Sequence, residues 1–234
     1  MRTLKETRAI TKEAAWIDPV NARTIPVNKA NHKFKFTRRW FVLRNQKTFS
    51  TFLAPTYPPH RPINMIQIGV FEGQDLVWSL QNLLQHPDSR CVAIDPWAAT
   101  RKLDENKMAE VEARARKNLA PWRRKVEIRK GYSGEVLQDL IDGPASITGR
   151  RIPAGHWDLV IIDGDHTADA VYTDATLSSK LIKTGGQLMF DDVRNRVHKK
   201  DHVYDGIVGW LLEEGNQFDL AWYHRYCNCY TKKA

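Results

Sequence analysis

The chain has 234 residues, 42% of them hydrophobic, and a formal net charge of +9. That length suits one sizeable α/β domain with a small extension and excludes two ordinary domains. No apolar run approaches the roughly 18 residues of a membrane span, no uninterrupted signal-like segment opens the chain, and the three cysteines set up no disulfide framework, so a cytoplasmic protein without a membrane span is expected.

The charge is unevenly placed. Residues 1–60 hold twelve Lys/Arg against three acids (Glu6, Glu13, Asp18), whereas 61–234 hold twenty-four of each sign. A neutral domain over 61–234 thus carries a basic extension over 1–60. Within the extension no helix or strand period holds for long, and prolines recur at Pro19, Pro26, Pro55, Pro58 and Pro59. Residues 29–52 interleave cations such as Lys33, Lys35, Arg38, Arg39, Arg44 and Lys47 with Phe34, Phe36, Trp40, Phe41, Phe49 and Phe52. Cations beside stacking rings build phosphate-binding surfaces, which makes a nucleic acid a candidate partner. Alternatively the rings pack on the sheet domain while the charges stay in water, since aromatics this dense are usually buried. Tyr57 to Pro62 reads as a stiff linker.

Residues 63–68 read as a buried strand, followed by the turn Gly69-Val70-Phe71-Glu72-Gly73 and a helix over 75–84. Glycine at a strand-to-helix turn lets the backbone approach a ligand, and the helix start presents free N–H groups. The spacing is G-x-x-x-G, not the G-x-G-x-x-G of dinucleotide sites, and Glu72 would repel a pyrophosphate but not a ligand with a cationic or amine end. A tight turn without a ligand is the alternative. Residues 90–95 form the next strand, ending in Asp95, about twenty residues beyond the turn, where a carboxylate takes both hydroxyls of a ribose. Before Pro96 that acid can also simply start a turn.

Residues 103–119 form an amphipathic helix stopped by Pro121, 125–129 alternate like an edge strand, and Gly131 to Glu135 turns into a helix over 136–141. Ser133 suits a helix N-cap as well as a ligand contact. Residues 143–155 read as loop. Two apolar runs follow, Leu159 to Ile162 and Gln187 to Phe190, each a buried strand followed by acids: Asp163-Gly164-Asp165-His166 and Asp191-Asp192. A helix over 167–181 and Thr184-Gly185-Gly186 join them into a strand-helix-strand unit, whose acids lie at the carboxyl edge where open α/β sheets bind ligands. Parallel neighbours lie about 4.8 Å apart, so the two clusters converge. A helix over 204–212 and closing strands within 218–230 end the chain. Cys227, Cys229 and His224 fall short of a complete zinc pattern.

Taken in order, Gly69-x-x-x-Gly73, Asp95, Gly131-Tyr132-Ser133, Asp158 to His166, Thr184-Gly185-Gly186 and Phe190-Asp191-Asp192 resemble class I S-adenosylmethionine-dependent methyltransferases. The likeness is nearest to the small O-methyltransferases of sugars and natural products, the macrocin and mycinose type, and more distant to catechol O-methyltransferases. It covers Ile63 onward. It implies a Rossmann-like, doubly wound, mostly parallel seven-stranded sheet with helices on both faces. By the same resemblance Gly69, Glu72 and Gly73 hold the methionine end of S-adenosylmethionine, Asp95 the ribose and Ser133 the adenine side. Asp163, Asp191 and Asp192 surround a divalent cation, with Mg²⁺ expected, and Asp163 also borders the cofactor. His166, three residues past Asp163, stands where catechol-type enzymes carry their catalytic lysine.

Converging carboxylates raise one another's pKa unless a metal, shared protons or a basic partner such as Arg194 or Arg196 intervenes. A carboxylate-held cation lowers the pKa of an acceptor hydroxyl and a histidine takes its proton, which makes Asp163 and His166 the catalytic candidates. His166 can equally be a helix-start histidine bonded to backbone or water. The expected activity is O-methylation of a small hydroxylated acceptor, a sugar, a glycosylated metabolite or an anionic compound, in a monomer or homo-oligomer. A nucleic-acid acceptor gripped by the basic extension and a non-catalytic binding module on the same fold are the alternatives.

Overall fold

Strands buried on both faces need apolar residues at every position and a helical layer on each side. The structure, a computed structural model, describes residues 34–193 and 202–234. It meets that requirement in β1 (Asn64–Ile68), β2 (Arg90–Asp95) and β6 (Trp157–Ile162), of which only Arg90 is not buried. With β3 (Val126–Lys130), β7 (Ile182–Phe190), β8 (Phe218–His224) and β9 (Cys227–Lys232) they form a seven-stranded sheet of order β3-β2-β1-β6-β7-β9-β8. The first five strands are parallel, and β9 and β8 close the sheet antiparallel.

The helices are α1 (Gln74–Asn82), α2 (Glu105–Leu119), α3 (Ser133–Asp142), α4 (Ala168–Leu181) and α5 (His202–Glu214). Alternate strand residues enter two cores. Met65, Cys91, Ala93, Leu159 and Ile161 pack with Leu76, Trp78, Met108 and Val111 of α1 and α2. Ile66, Ile68, Val92, Val160 and Leu188 pack with Leu137, Val171, Ile207 and Trp210 of α3, α4 and α5. The doubly wound fold expected from the sequence is therefore the fold observed. No helix among the described residues is long and apolar enough to cross a membrane.

Three segments differ from expectation. Residues 143–155 are not plain loop: β4 (Ala145–Ile147) and β5 (Arg150–Ile152) pair antiparallel, burying Ala145, Ile147 and Ile152. The closing strands turn at Arg225 and Tyr226, with Arg225 at φ +56°. Residues 40–56 are helical, in the consecutive pieces Trp40–Arg44, Gln46–Thr48, Phe49–Leu53 and Ala54–Thr56, the third wound wider than an α-helix. Their pieces are too short to show a period. Phe41 and Phe49 pack on Trp78 and Phe52 stacks on Trp222 at 4.8 Å, so these rings belong to the first core. Tyr57, placed in the expected linker, is buried and donates to the Asp158 carbonyl at 3.0 Å.

Candidate active site

The parallel register decides which residues meet. Ile68 pairs with Ile162 and Ile162 with Phe190, so Gly69, Asp163 and Asp191 are the next residues on three adjacent strands. The amide of Asp163 donates to the Ile68 carbonyl and that of Asp191 to the Ile162 carbonyl, which laces the three exits together. Gly69 must be glycine here. It sits at φ +79°, and a Cβ on it would lie 1.8 Å from the Asp163 carbonyl oxygen.

Beyond Gly69 the chain turns tightly and Gly73, at φ +76°, starts α1. The turn is held from outside. Asp95 accepts from the amides of Val70 and Phe71 at 2.8 Å each and of Trp97 at 2.7 Å. Burial pushes its pKa up and those three amides oppose the rise. Glu72, 2% exposed, accepts from the Thr37 amide, the Thr37 hydroxyl and Arg114 Nε at 2.6, 2.8 and 2.7 Å. Both acids read from the sequence as cofactor ligands thus have several protein partners of their own. Ser133 is the first residue of α3, not its cap, and its hydroxyl is near enough to the buried Asp174 to oppose the rise that burial gives that acid's pKa.

At the other edge Asp163, His166 and Asp192 come together. His166 Nε2 lies 3.6 Å from Asp163 Oδ1 and 3.7 Å from Asp192 Oδ2. The Asp163 contact raises the His166 pKa, and burial lifts Asp163 to about 6 against that same contact. Asp192 adopts φ +53°, a left-handed backbone that costs a side-chain-bearing residue about 1 kcal/mol and is tolerated where function demands it. Asp191, 7% exposed, is set apart: its carboxylate bonds Asn45 Nδ2 and the Cys227 thiol, and burial followed by Asp163 and Asp192 drives its pKa well up. One ligand atom each from Asp163, His166 and Asp192 fall within 4.8 Å of one another, the one such group among the described residues. Arg194 and Arg196 lie outside the described residues. Among the described residues the arginine that reaches the acids is Arg44, 3.1 Å from Asp192 Oδ1. His224 bonds Thr48, and it forms no metal group with Cys227 and Cys229.

Asp75 escaped the sequence reading. It lies between the two halves, bonded to Gln67 Nε2 at 2.7 Å, with its pKa pushed to about 7 by burial first and by Asp191 and Asp95 further down. An acid in the first turn of a helix reads as a partner of the helix dipole, and only the fold shows the carboxylates of Asp95, Asp163 and Asp191 around it. Arg44 and Asn45 escaped too, being remote in sequence from the acids they touch.

Residues 66–193, more than half of the chain, match the family model described as a methyltransferase domain. No curated protein matches the sequence. Among solved structures, the O-methyltransferase of Bacillus cereus in complex with SAH aligns with TM-score 0.51 at 18% identity, over 77% of this chain and 86% of that one. The O-methyltransferase TomG of Streptomyces achromogenes, involved in tomaymycin synthesis and in complex with SAM, gives 0.53 at 18%, over 78% of each chain. A cofactor-bound protein from MTB gives 0.53 at 20%, again over 78% of each. The register, the glycine turn and the family match agree, and the chain belongs to this methyltransferase-domain family, the class I S-adenosylmethionine-dependent methyltransferases.

Proposed function

We propose that the protein transfers the methyl group of S-adenosylmethionine to a hydroxyl of a small acceptor. The observation that carries this is the convergence of Asp163, His166 and Asp192 one strand away from the glycine turn. S-adenosylmethionine supplies an electrophilic methyl on a sulfonium, which leaves as a neutral thioether once the acceptor oxygen bonds the methyl carbon. The residues fit such a group: the Gly69 turn leaves no room for a side chain, and the acids around Asp75 favour a cationic ligand over an anionic one.

A divalent cation fits the second half on its donor set, since Asp163 and Asp192 offer the oxygen ligands that hard cations take. Held there, it would lower the pKa of the acceptor hydroxyl and fix its position. His166 accepts the hydroxyl proton at Nε2, with Asp163 and Asp192 stabilising the imidazolium that results. To act as base it must start neutral, so the raised pKa makes transfer rise with pH. Asp191 adds negative charge behind the pair.

The test is Asp163→Ala in the full chain. Transfer should fall by about three orders of magnitude while the affinity for S-adenosylhomocysteine, by calorimetry, changes less than about fivefold. Equal loss of both would place Asp163 in the cofactor site instead. A divalent cation titrated calorimetrically into wild type and Asp163→Ala reads the metal separately, and equal heats would dismiss it.

A further inference from the structure

Residues 34–57 run along the carboxyl edge from the cofactor turn to the acids. Thr37 bonds Glu72, the Trp40 ring lies 5.2 Å from that of Phe71 in the glycine turn, Arg44 reaches Asp192, and Asn45 reaches Asp191. The segment is therefore a wall of the transfer site. Trp40 and Arg44, four residues apart on one helical turn, share a face. Phe41, Phe49 and Phe52 of the same segment are buried, yet Trp40 is 53% exposed. Two exposed rings carry a guanidinium: Arg38 lies 5.7 Å over Trp40 of the wall, and Arg44 of the wall lies 5.4 Å over Tyr226 in the β8–β9 turn, itself 36% exposed. Large rings left in water beside cations complement a flat anionic ligand.

We infer that Trp40, Arg44 and Tyr226 dock the methyl acceptor, and that this acceptor is a hydroxylated aromatic acid. The inference rests on the transfer reading above and names its substrate class. The ring of the acceptor lies against Trp40 and Tyr226, its hydroxyl faces His166 and Asp163, and its carboxylate is taken by Arg44. Arg44 is suited to that role because Asp192 occupies one N–H group while 43% of its side chain stays exposed, and a guanidinium binds a carboxylate through paired N–H groups. Arg44 also stands between the incoming carboxylate and Asp192, which would otherwise repel it.

Calorimetry on the full chain saturated with S-adenosylhomocysteine tests this with two probes, a dihydroxybenzoate and its uncharged carboxamide. The benzoate should bind at least about tenfold tighter. Arg44→Gln should erase the preference and Arg44→Lys keep part of it, while Trp40→Ala weakens both probes alike. The melting temperature of each variant reports that the fold is intact. Equal binding of the probes, no binding of either to the loaded protein, as when the chain's own residues cover the wall, or a preference that survives Arg44→Gln would overturn the assignment. Failure to bind S-adenosylhomocysteine at all would instead bring down the transfer reading beneath it.

Discussion

The two halves of the site treat their carboxylates differently. Around the glycine turn each acid is answered by donors: three backbone amides for Asp95, and Thr37 with Arg114 for Glu72. At the ends of β6 and β7 the acids face one another, with the His166 ring between Asp163 and Asp192. The first arrangement satisfies charge locally and fixes a backbone shape. The second sets one imidazole and one guanidinium, His166 and Arg44, against three neighbouring carboxylates, and such a like-charge cluster raises the pKa values of its acids and suits a reacting edge.

The glycine turn should be the less forgiving half. Gly69→Ala places a Cβ against backbone atoms of Asp163, at 1.8 Å from the carbonyl oxygen, which no side-chain rearrangement relieves. We expect a loss of at least about 3 kcal/mol, or about 10 °C in Tm, with cofactor binding lost as well. Gly73→Ala is the internal contrast. Its Cβ would meet only the Leu119 side chain at 3.5 Å, so its cost is the left-handed backbone alone, about 1 kcal/mol. Similar melting temperatures for the two variants, measured by calorimetry, would show that backbone approach does not set the turn.

The acid half should reveal itself through pH. Burial holds Asp75 at about 7 in the folded chain against an ordinary 3.8. The native state therefore binds the extra proton between those values, and this part of its stability is full below about pH 4 and lost as pH rises through about 7. Asp75→Asn removes that slope. It should match the wild type near about pH 4 and exceed it by on the order of 3 kcal/mol at about pH 8, by urea unfolding at both values. A constant difference across the range would mean that burial does not raise the Asp75 pKa in the folded chain. Asp163 and Asp191 contribute slopes of the same sign, so the comparison between chains, not the wild-type curve, is the measurement.

What could be read from residues alone follows the same division. Continuous apolar runs placed β1, β2, β6 and β7, and the acids following β6 and β7 had to converge once those strands were parallel neighbours. The partners of the carboxylates could not be read. Asn45 meets Asp191 across 146 positions and Thr37 meets Glu72 across 35, and neither pairing leaves a periodic trace. Residues 40–56 were hidden for a related reason, since short helical pieces joined by a wide turn show no helical period, and Pro55 reads as a breaker. The short β4–β5 hairpin lay inside a stretch rich in glycine and proline.

The smallest expected effect on cofactor affinity probes how rigidly the wall is tied to the cofactor half. Thr37→Val removes the hydroxyl that bonds Glu72 Oε1 but leaves the Thr37 amide on Oε2 and Arg114 Nε on Oε1. With two donors remaining, Glu72 is still paired, so the loss should be that of one hydrogen bond to a charged group, about 1.5 kcal/mol by urea unfolding. S-adenosylhomocysteine affinity should move less than about twofold, because the amides that shape the turn are held by Asp95 and not by Glu72. A larger loss of affinity would mean that Thr37 carries the position of the turn, and the wall and the cofactor half would then have to be treated as one unit.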